Sequence, residues 1–367
     1  MKYIEGFRNA EAAAFITDRL HELGGKLANR GRRARVMEVC GSHTMAIARF
    51  GIRGLLPENV DLISGPGCPV CVTDTGYIDA AIDLARKGAL IATFGDMVRV
   101  PGSESDLASC RAQGASVEVC YSPMGALDLA TKHPDREVVF LAIGFETTAA
   151  PIISLVETAI HSGIGNLSLL TAFKLVPPAL AALLADPEIE VHAFLCPAHV
   201  SAIIGSDAYR PFAEGNGTPC VVAGFEPLDI LYGLQGILEQ MVKGESRVQN
   251  QYDRVVKPEG NRIALKLMET YIEPADATWR GLGVIPKSGL SLRAEFSGFD
   301  AAHKHGIEIR KGHTNSKCLC GEVLKGKIAP PGCSLFGKAC TPEHPIGPCM
   351  VSVEGSCAAH YKYARSA

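Results

Sequence analysis

The stretch EVVFLAIGFETTAAP (residues 137–151) joins a run of apolar residues to a glycine turn and then to an amphipathic segment. A continuous apolar run of this kind predicts a strand covered on both faces, and a helix after the glycine completes a βα unit. A shorter form of the pattern, VVAGFEPLDI (residues 221–230), occurs later in the chain. The two stretches predict a recurring strand–turn–helix arrangement around parallel sheets.

Short apolar runs alternate with amphipathic segments from about residue 35 to residue 243, as in other βα folds. The eight runs predicted as strands are RVMEV, DLIS, ALIATF, SVEVC, EVVFLAI, LSLLTAF, VHAFL and CVVAGF. Eight strands are more than one small sheet would contain. We therefore expect an α/β fold with two parallel-sheet α/β domains (1–125 and 126–245) flanking a cleft, and a small Cys-rich C-terminal domain (246–367) that begins with a linker helix around NRIALKLMETYI.

Composition excludes two broad classes of function. The 367 residues carry a net charge of −3, which provides no positive field for nucleic acid. No apolar run approaches the roughly 18 residues of a membrane span. The first residues, MKYIEGFRNAEAAAFITDRL, lack a positive region followed by an apolar core. We therefore expect a cytoplasmic protein that binds neither nucleic acid nor membrane.

The end of the chain is rich in cysteine, with six in the last fifty residues. In a reducing compartment this density favours bound metal over disulfides. A [4Fe-4S] cluster needs four thiolates, and zinc held by four thiolates is the alternative. The favoured cluster ligands are Cys320, Cys333, Cys340 and Cys357, with Cys318 and Cys349 as alternates.

Cys40 lies in VCGSHTMAIARFG, where a predicted strand leads into a Gly-Ser turn and a helix. Backbone N–H groups and the positive end of a helix dipole at this point are expected to lower the pKa of the thiol. His43, beside it, could orient, protonate or ligate. The alternative is a buried structural cysteine at the end of a strand.

Cys68 and Cys71 form a CxxC pair in SGPGCPVCVTDTGY, ahead of a predicted helix. Two thiols at this spacing can close into a disulfide or supply two ligands to a metal. No second CxxC or HxxxH follows nearby, so a redox pair at a helix N-terminus is favoured over half of a zinc site. A purely structural pair ranks third.

Several chemically distinctive residues come directly after predicted strands, at the edge where open α/β sheets bind ligands. They are Cys40, Cys68, Asp96, Glu146, Lys174, His199 and Glu226. Helix capping accounts for Thr147 and Thr148, and a lone histidine is more often structural than catalytic. Neither GxGxxG nor GxxxxGK[ST] is present, so no motif supports nucleotide binding.

Five motifs, taken in order over nearly the whole chain, resemble those of the HypD family of [NiFe]-hydrogenase maturation proteins. They are CGSHT, GPGCPVC, GFETT, PAHVS and the tail from CGEVLKGKIAPPGC to GPCMVSVEGSCAAHYKY. The resemblance implies a scaffold on which the Fe(CN)2(CO) unit of the hydrogenase active site is built. A HypC-type chaperone would supply a second cysteine, and a HypE-type protein would deliver cyanide.

The resemblance also implies roles for individual residues. Cys40 would be the thiolate ligand of the nascent iron, and Cys68 and Cys71 would cycle between dithiol and disulfide while exchanging electrons with the [4Fe-4S] cluster. The residues expected to line the cleft are His43, Glu146, Thr147, Thr148 and His199. The rival interpretation is an iron-sulfur-dependent thiol/disulfide oxidoreductase that acts on a protein substrate.

Overall fold

The computed structural model describes residues 5–363 and has an α/β fold. All eight predicted strands are confirmed, as is the helix predicted near residues 261–272. The strands are β1 (Ala34–Glu38), β2 (Val60–Ser64), β3 (Leu90–Thr93), β4 (Val117–Val119), β5 (Val138–Gly144), β6 (Leu167–Phe173), β7 (Ala193–Pro197), β8 (Cys220–Ala223), β9 (Val248–Asn250), β10 (Ile272–Trp279) and β11 (Gly283–Leu292).

Amphipathic and capped segments between these strands form the helices. They are α1 (Ala10–Ala28), α2 (Gly41–Arg49), α3 (Pro69–Val72), α4 (Thr75–Arg86), α5 (Leu107–Ala112), α6 (Met124–Lys132), α7 (Glu146–His161), α8 (Val176–Ala185), α9 (Ala198–Ile204), α10 (Pro227–Lys243), α11 (Arg262–Tyr271), α12 (Ala301–His305), α13 (Cys320–Leu324), α14 (Pro348–Val351) and α15 (Ser356–Tyr363). None of the helices in residues 5–363 combines the length and apolar character needed to cross a membrane.

Two parallel sheets and one hairpin organise the molecule. The first sheet has five strands in the order β2-β1-β7-β8-β9, and the second has four in the order β4-β3-β5-β6. Every neighbouring pair within these two sheets is parallel. β10 and β11 pair antiparallel as a separate hairpin. The predicted fold class is therefore confirmed.

The sheets do not follow the expected segments 1–125 and 126–245. β3 to β6 form the second sheet as an insertion between β2 and β7, so the first sheet is made of two distant parts of the chain. An apolar pattern identifies a strand but not its partner, and parallel neighbours are joined by crossovers of variable length. A boundary near residue 125 thus falls inside the second sheet.

The cysteine-rich tail shares the core of the first sheet. One face of that sheet packs against α1 and α10. The other face contributes to a core that contains Phe194 and Trp279 together with Cys71 and, from the tail, Leu324 and Met350. The tail is therefore packed against the rest of the protein through apolar side chains as well as cysteines.

Candidate functional site

Cys40 lies between the end of β1 and the start of α2, at the carboxyl edge of the first sheet. Its backbone is extended, with φ −150° and ψ 126°, and its thiol makes no capping hydrogen bond to the helix. The side chain is about 9% exposed and belongs to no disulfide. The predicted strand-end position of this cysteine is therefore confirmed.

A buried carboxyl group lies beneath Cys40. Glu38 Oε2 accepts the Cys40 backbone N–H at 3.1 Å, and Oε1 accepts the Thr44 hydroxyl at 2.6 Å. Burial raises the pKa of Glu38 to about 7. Sequence reasoning missed this residue, although a carboxylate within the apolar run RVMEV was the available signal.

The expected low pKa of Cys40 is wrong. Burial raises the pKa of this thiol to about 12, and the nearby Glu354 and Glu38 carboxyls act in the same direction. The backbone N–H groups of His43 and Ser42 oppose the shift but do not reverse it. Loss of solvation outweighs the helix terminus because the thiolate would be almost fully removed from water.

The loop carrying the CxxC pair packs directly against Cys40. The Gly41 N–H donates to Gly67 O at 2.9 Å. A Cβ at Gly67 would lie 2.2 Å from the Cys40 nitrogen, so only glycine fits there. The motifs CGSHT and GPGCPVC therefore form one continuous site.

Cys68 and Cys71 are joined by a disulfide, with Cα atoms 5.2 Å apart. Cys68 is the N-cap of α3, and its Sγ accepts the Cys71 N–H at 3.2 Å. Both side chains are buried. Of the three interpretations of this pair, the structure contains the bonded form at a helix N-terminus.

His43 and His199 both contact the ring of Phe225. Their ring centroids lie 4.8 Å and 4.2 Å from that of Phe225. His43 Nε2 lies 2.8 Å from Gly224 O and 3.1 Å from Ala223 O, so this nitrogen carries the proton. His43 Nδ1 is buried without a partner among the described residues, and burial lowers the pKa of the ring to about 4.

Glu354, from the tail, covers the same turn. Its Oε1 accepts the Ser42 hydroxyl at 2.7 Å, and a Cβ at Gly41 would lie 2.4 Å from the Glu354 Cβ. Its charge also acts on His199, opposing the lowering of that pKa by burial. This carboxylate was missed from the sequence, where the only signal was its position three residues before Cys357.

Glu146 belongs to a helix, α7, that packs against α9, the helix that carries His199. Glu146 is the first residue of α7, about 2% exposed, and its Oε1 accepts the Val176 N–H at 2.9 Å. Oε2 has no partner among residues 5–363, and burial raises the pKa of the carboxyl to about 7. Thr147 and Thr148 are partly buried beside it. The expectation that these threonines cap the helix is wrong, because Phe145 is the N-cap of α7 and both threonines lie within the helix.

Five tail cysteines line one small cavity, together with apolar side chains. They are Cys318, Cys320, Cys333, Cys340 and Cys357. Cys349 is fully buried and hydrogen-bonds with Cys320 and Cys357. All six expected cysteines are therefore close together, but Cys349 does not line the cavity.

The thiols around this cavity are the donor type that binds iron-sulfur clusters and zinc. A Cβ at Gly347 would lie 2.7 Å from Cys318 Sγ and 2.9 Å from Cys320 Sγ, so glycine keeps the space beside the thiols open. The Ile346 N–H donates to Cys340 Sγ at 3.4 Å. Among residues 5–363, no three or more His, Cys, Asp or Glu side chains are arranged so that together they could hold a single metal ion.

The tail also contacts both sheets. Ser352 Oγ donates to Asp96 Oδ2 at 2.8 Å, and Arg99 Nη2 donates to Pro342 O at 2.6 Å. α14 packs on α3, and α15 packs on α2. The cysteine cavity, the disulfide and Cys40 are therefore held together by direct packing between neighbouring helices.

Comparison with known proteins places this arrangement in a family. The family model described as HypD, hydrogenase formation hypA family, matches residues 15–364. Hydrogenase maturation factor HypD of Azotobacter vinelandii is 46% identical over 373 residues, covering 100% of this chain and 97% of the relative. The proteins of that name from Cupriavidus necator and Escherichia coli are 43% and 42% identical, covering 100% and 99% of this chain and 98% of each relative. The chain therefore belongs to the HypD family.

Proposed function

We propose that this protein is a maturation factor for [NiFe]-hydrogenase, on which the Fe(CN)2(CO) unit is assembled before its transfer to the hydrogenase large subunit. The named relatives are hydrogenase maturation factors, which supports the pathway. The observation that carries the scaffold role is the contact of Cys40 with the disulfide loop through Gly67. A cysteine outside any disulfide thus lies directly beside the Cys68–Cys71 disulfide.

Cys40 is the proposed ligand of the nascent iron. Low-spin Fe(II) with strong-field ligands accepts a soft sulfur donor. With a pKa near 12 the Cys40 thiol is protonated at neutral pH, so iron binding must release this proton. The Glu38 carboxyl holds the Cys40 backbone through its N–H, which fixes the direction of the thiol.

Cys68 and Cys71 are the proposed electron-exchanging pair. Reduction breaks their S–S bond, takes up two electrons and two protons, and yields two thiols. Burial of both side chains limits their exchange with small thiols in solution. The short helix α3 keeps the two sulfurs close in either state.

The tail cysteines are the proposed ligands of a resident [4Fe-4S] cluster, with Cys320, Cys333, Cys340 and Cys357 as the favoured set. When bound, such a cluster stores and supplies single electrons. The cavity that these four line with Cys318 supports the assignment, and Cys349 lies outside that cavity.

The proposed partners are a HypC-type chaperone, which supplies a second cysteine, and a HypE-type protein, which delivers cyanide, both in the cytoplasm. His199 is exposed next to the Cys40 site, and Thr147 and Thr148 are partly exposed at the start of α7. These side chains are available to contact a partner or to donate hydrogen bonds to cyanide nitrogens.

Infrared spectroscopy tests the scaffold role. The protein is co-expressed with its maturation partners and purified without oxygen, beside Cys40→Ala, and iron and sulfide are counted in each sample. We expect cyanide and carbonyl stretching bands in the wild type and their loss in Cys40→Ala. Iron should exceed the cluster's own iron only in the wild type.

The matched control is Cys110→Ala, because Cys110 is another buried thiol, in α5, and packs in the core of the second sheet. This variant should keep the bands. Bands at full intensity in Cys40→Ala would contradict the ligand assignment.

The alternative function is an iron-sulfur-dependent thiol/disulfide oxidoreductase. The disulfide at the N-terminus of α3 is the observation that favours it. It shares the cluster and the redox pair with the scaffold role but requires no additional iron. A protein that contains iron and sulfide but gives no cyanide or carbonyl bands, even with its partners present, would favour this alternative.

A further inference from the structure

Arg280 joins the hairpin to the helix that carries the disulfide. It follows Trp279, the last residue of β10, and its backbone N–H donates to Val72 O at 2.8 Å. Its Nε donates to Thr73 O at 3.1 Å. Thr73 and Trp279 also form an antiparallel bridge. The end of α3 is therefore fixed to Arg280 by both backbone and side chain.

One terminal nitrogen of the guanidinium, Nη2, has no partner in the described part of the chain. Arg280 is about 9% exposed, and its Nη2 is buried without a hydrogen bond among residues 5–363. Arginine stays charged in proteins, and a buried N–H of a charged group that lacks an acceptor is costly. The position therefore calls for an anionic or sulfur acceptor beside Nη2.

Arg280 also borders the cysteine-rich tail. Arg280 and Cys318 line the same cleft, which has a volume of about 390 Å³. A Cβ at Gly281 would lie 2.4 Å from the Gly321 Cα, so the hairpin turn contacts the tail next to Cys320.

We propose that Arg280 is a positioning residue for the cysteine-rich site, which it supplies with a positive charge and an Nη2–H donor while its Nε holds the end of the disulfide-bearing helix. This inference rests on the proposed [4Fe-4S] cluster. Reduction adds a negative charge to such a cluster, and hydrogen bonds and nearby charge set its potential. Arg280 therefore favours the reduced form.

The test is the midpoint potential of the cluster in the full chain, reconstituted without oxygen and titrated by spectroelectrochemistry. We expect Arg280→Gln to weaken one-electron reduction by about tenfold, a fall of about 59 mV. Arg280→Lys keeps the charge but cannot donate in two directions at once as the guanidinium does, and it should weaken reduction by about threefold. The control is Lys317→Gln, which removes an exposed charge next to Cys318 and should leave the potential unchanged because solvent screens it.

Iron and acid-labile sulfide are counted in every sample. A wild-type chain that takes up no sulfide would overturn both the inference and the cluster on which it rests. If Arg280→Gln contains as much cluster as the wild type and has the same potential, the inference alone fails. If Arg280→Gln loses its near-UV circular dichroism, and so its native packing, the Arg280→Lys variant provides the test instead. A Lys variant with the wild-type potential would overturn the role of the guanidinium.

Discussion

The two Gly-Phe-Glu turns, at residues 144–146 and 224–226, share a sequence and a place between strand and helix but not a chemistry. Each follows a parallel strand and precedes a long helix. Glu146 is buried, with one oxygen unpartnered. Glu226 is partly exposed and forms two hydrogen bonds with Arg8, at 2.6 Å and 3.0 Å. The helix cap also differs, because Phe145 is the N-cap of α7 whereas Glu226 is the N-cap of α10. A short motif thus predicts a turn between strand and helix, and the surrounding segments determine its backbone and what its carboxylate can do.

The largest expected difference between the turns concerns their glycines. A Cβ at Gly144 would lie 2.3 Å from the Thr148 Cβ, which is fixed to the backbone of α7. A Cβ at Gly224 would lie 2.3 Å from Asp229 Oδ2 and 2.5 Å from Tyr252 Cε2, both of them side-chain atoms that lie several bonds from their backbones. Gly144→Ala should therefore destabilise by about 3 kcal/mol and Gly224→Ala by about 1 kcal/mol, within the range for overpacking. Urea unfolding measures the free energy of unfolding of both variants. Equal losses of stability would contradict the expected difference between the two turns.

Glu146→Gln should change how stability depends on pH. The pKa of Glu146 is about 7 when folded, above its ordinary 4.5. Between these values the folded state retains a proton that the unfolded state has lost, so stability falls as pH rises and then levels off above about pH 7. Glutamine has no such proton. The stability of the variant relative to wild type should rise by about 3 kcal/mol from pH 4.5 to 7.5, at about 1.36 kcal/mol per pKa unit.

The comparison with wild type at each pH isolates Glu146, because Glu38 has a similarly raised pKa and contributes the same slope to both proteins. Unfolding in urea at several pH values measures the difference. A difference that does not vary with pH would mean that Glu146 is solvated in the folded protein.

Glu226→Gln should have the smallest effect. Its partner, Arg8, is on the surface, and such ion pairs contribute little because solvent and salt screen them. We expect a slight fall in melting temperature at low salt and none at about 1 M salt, where the Debye length is about 3 Å. A large loss that persists at high salt would show that the second turn depends on its carboxylate as strongly as the first.

The sequence predicted the positions of strands and helices better than it predicted which strands pair. RVMEV and SVEVC were both identified as strands, but nothing in either run indicates that β1 pairs with β7 or β4 with β3. The hairpin was not predicted, because Pro274 and Pro286 interrupt its strands and proline is usually depleted there. Pairing depends on contacts between distant segments, which local periodicity does not record.

The same limit applies to the site. Cys40, Cys68 and Cys71 were identified because their types and spacing are distinctive. Glu38, Glu354 and Arg280 have ordinary residue types, and only tertiary packing gives them their contacts. The pKa of Cys40 was predicted in the wrong direction because a sequence indicates a helix terminus but not the depth at which it is buried.

The interruption of the first sheet also orders the events of folding. The second sheet comes from one continuous segment, whereas the first requires β7 to β9 to return to β1 and β2 across that segment. The hydrogen bond between Ser42 and Glu354 joins residues 312 positions apart. Contacts at such separation form late because closing long loops is slow. We therefore expect the tail segment around Glu354 to pack over Cys40 last. The Cys40 thiol would then be the part of the site that stays accessible to solvent longest during folding.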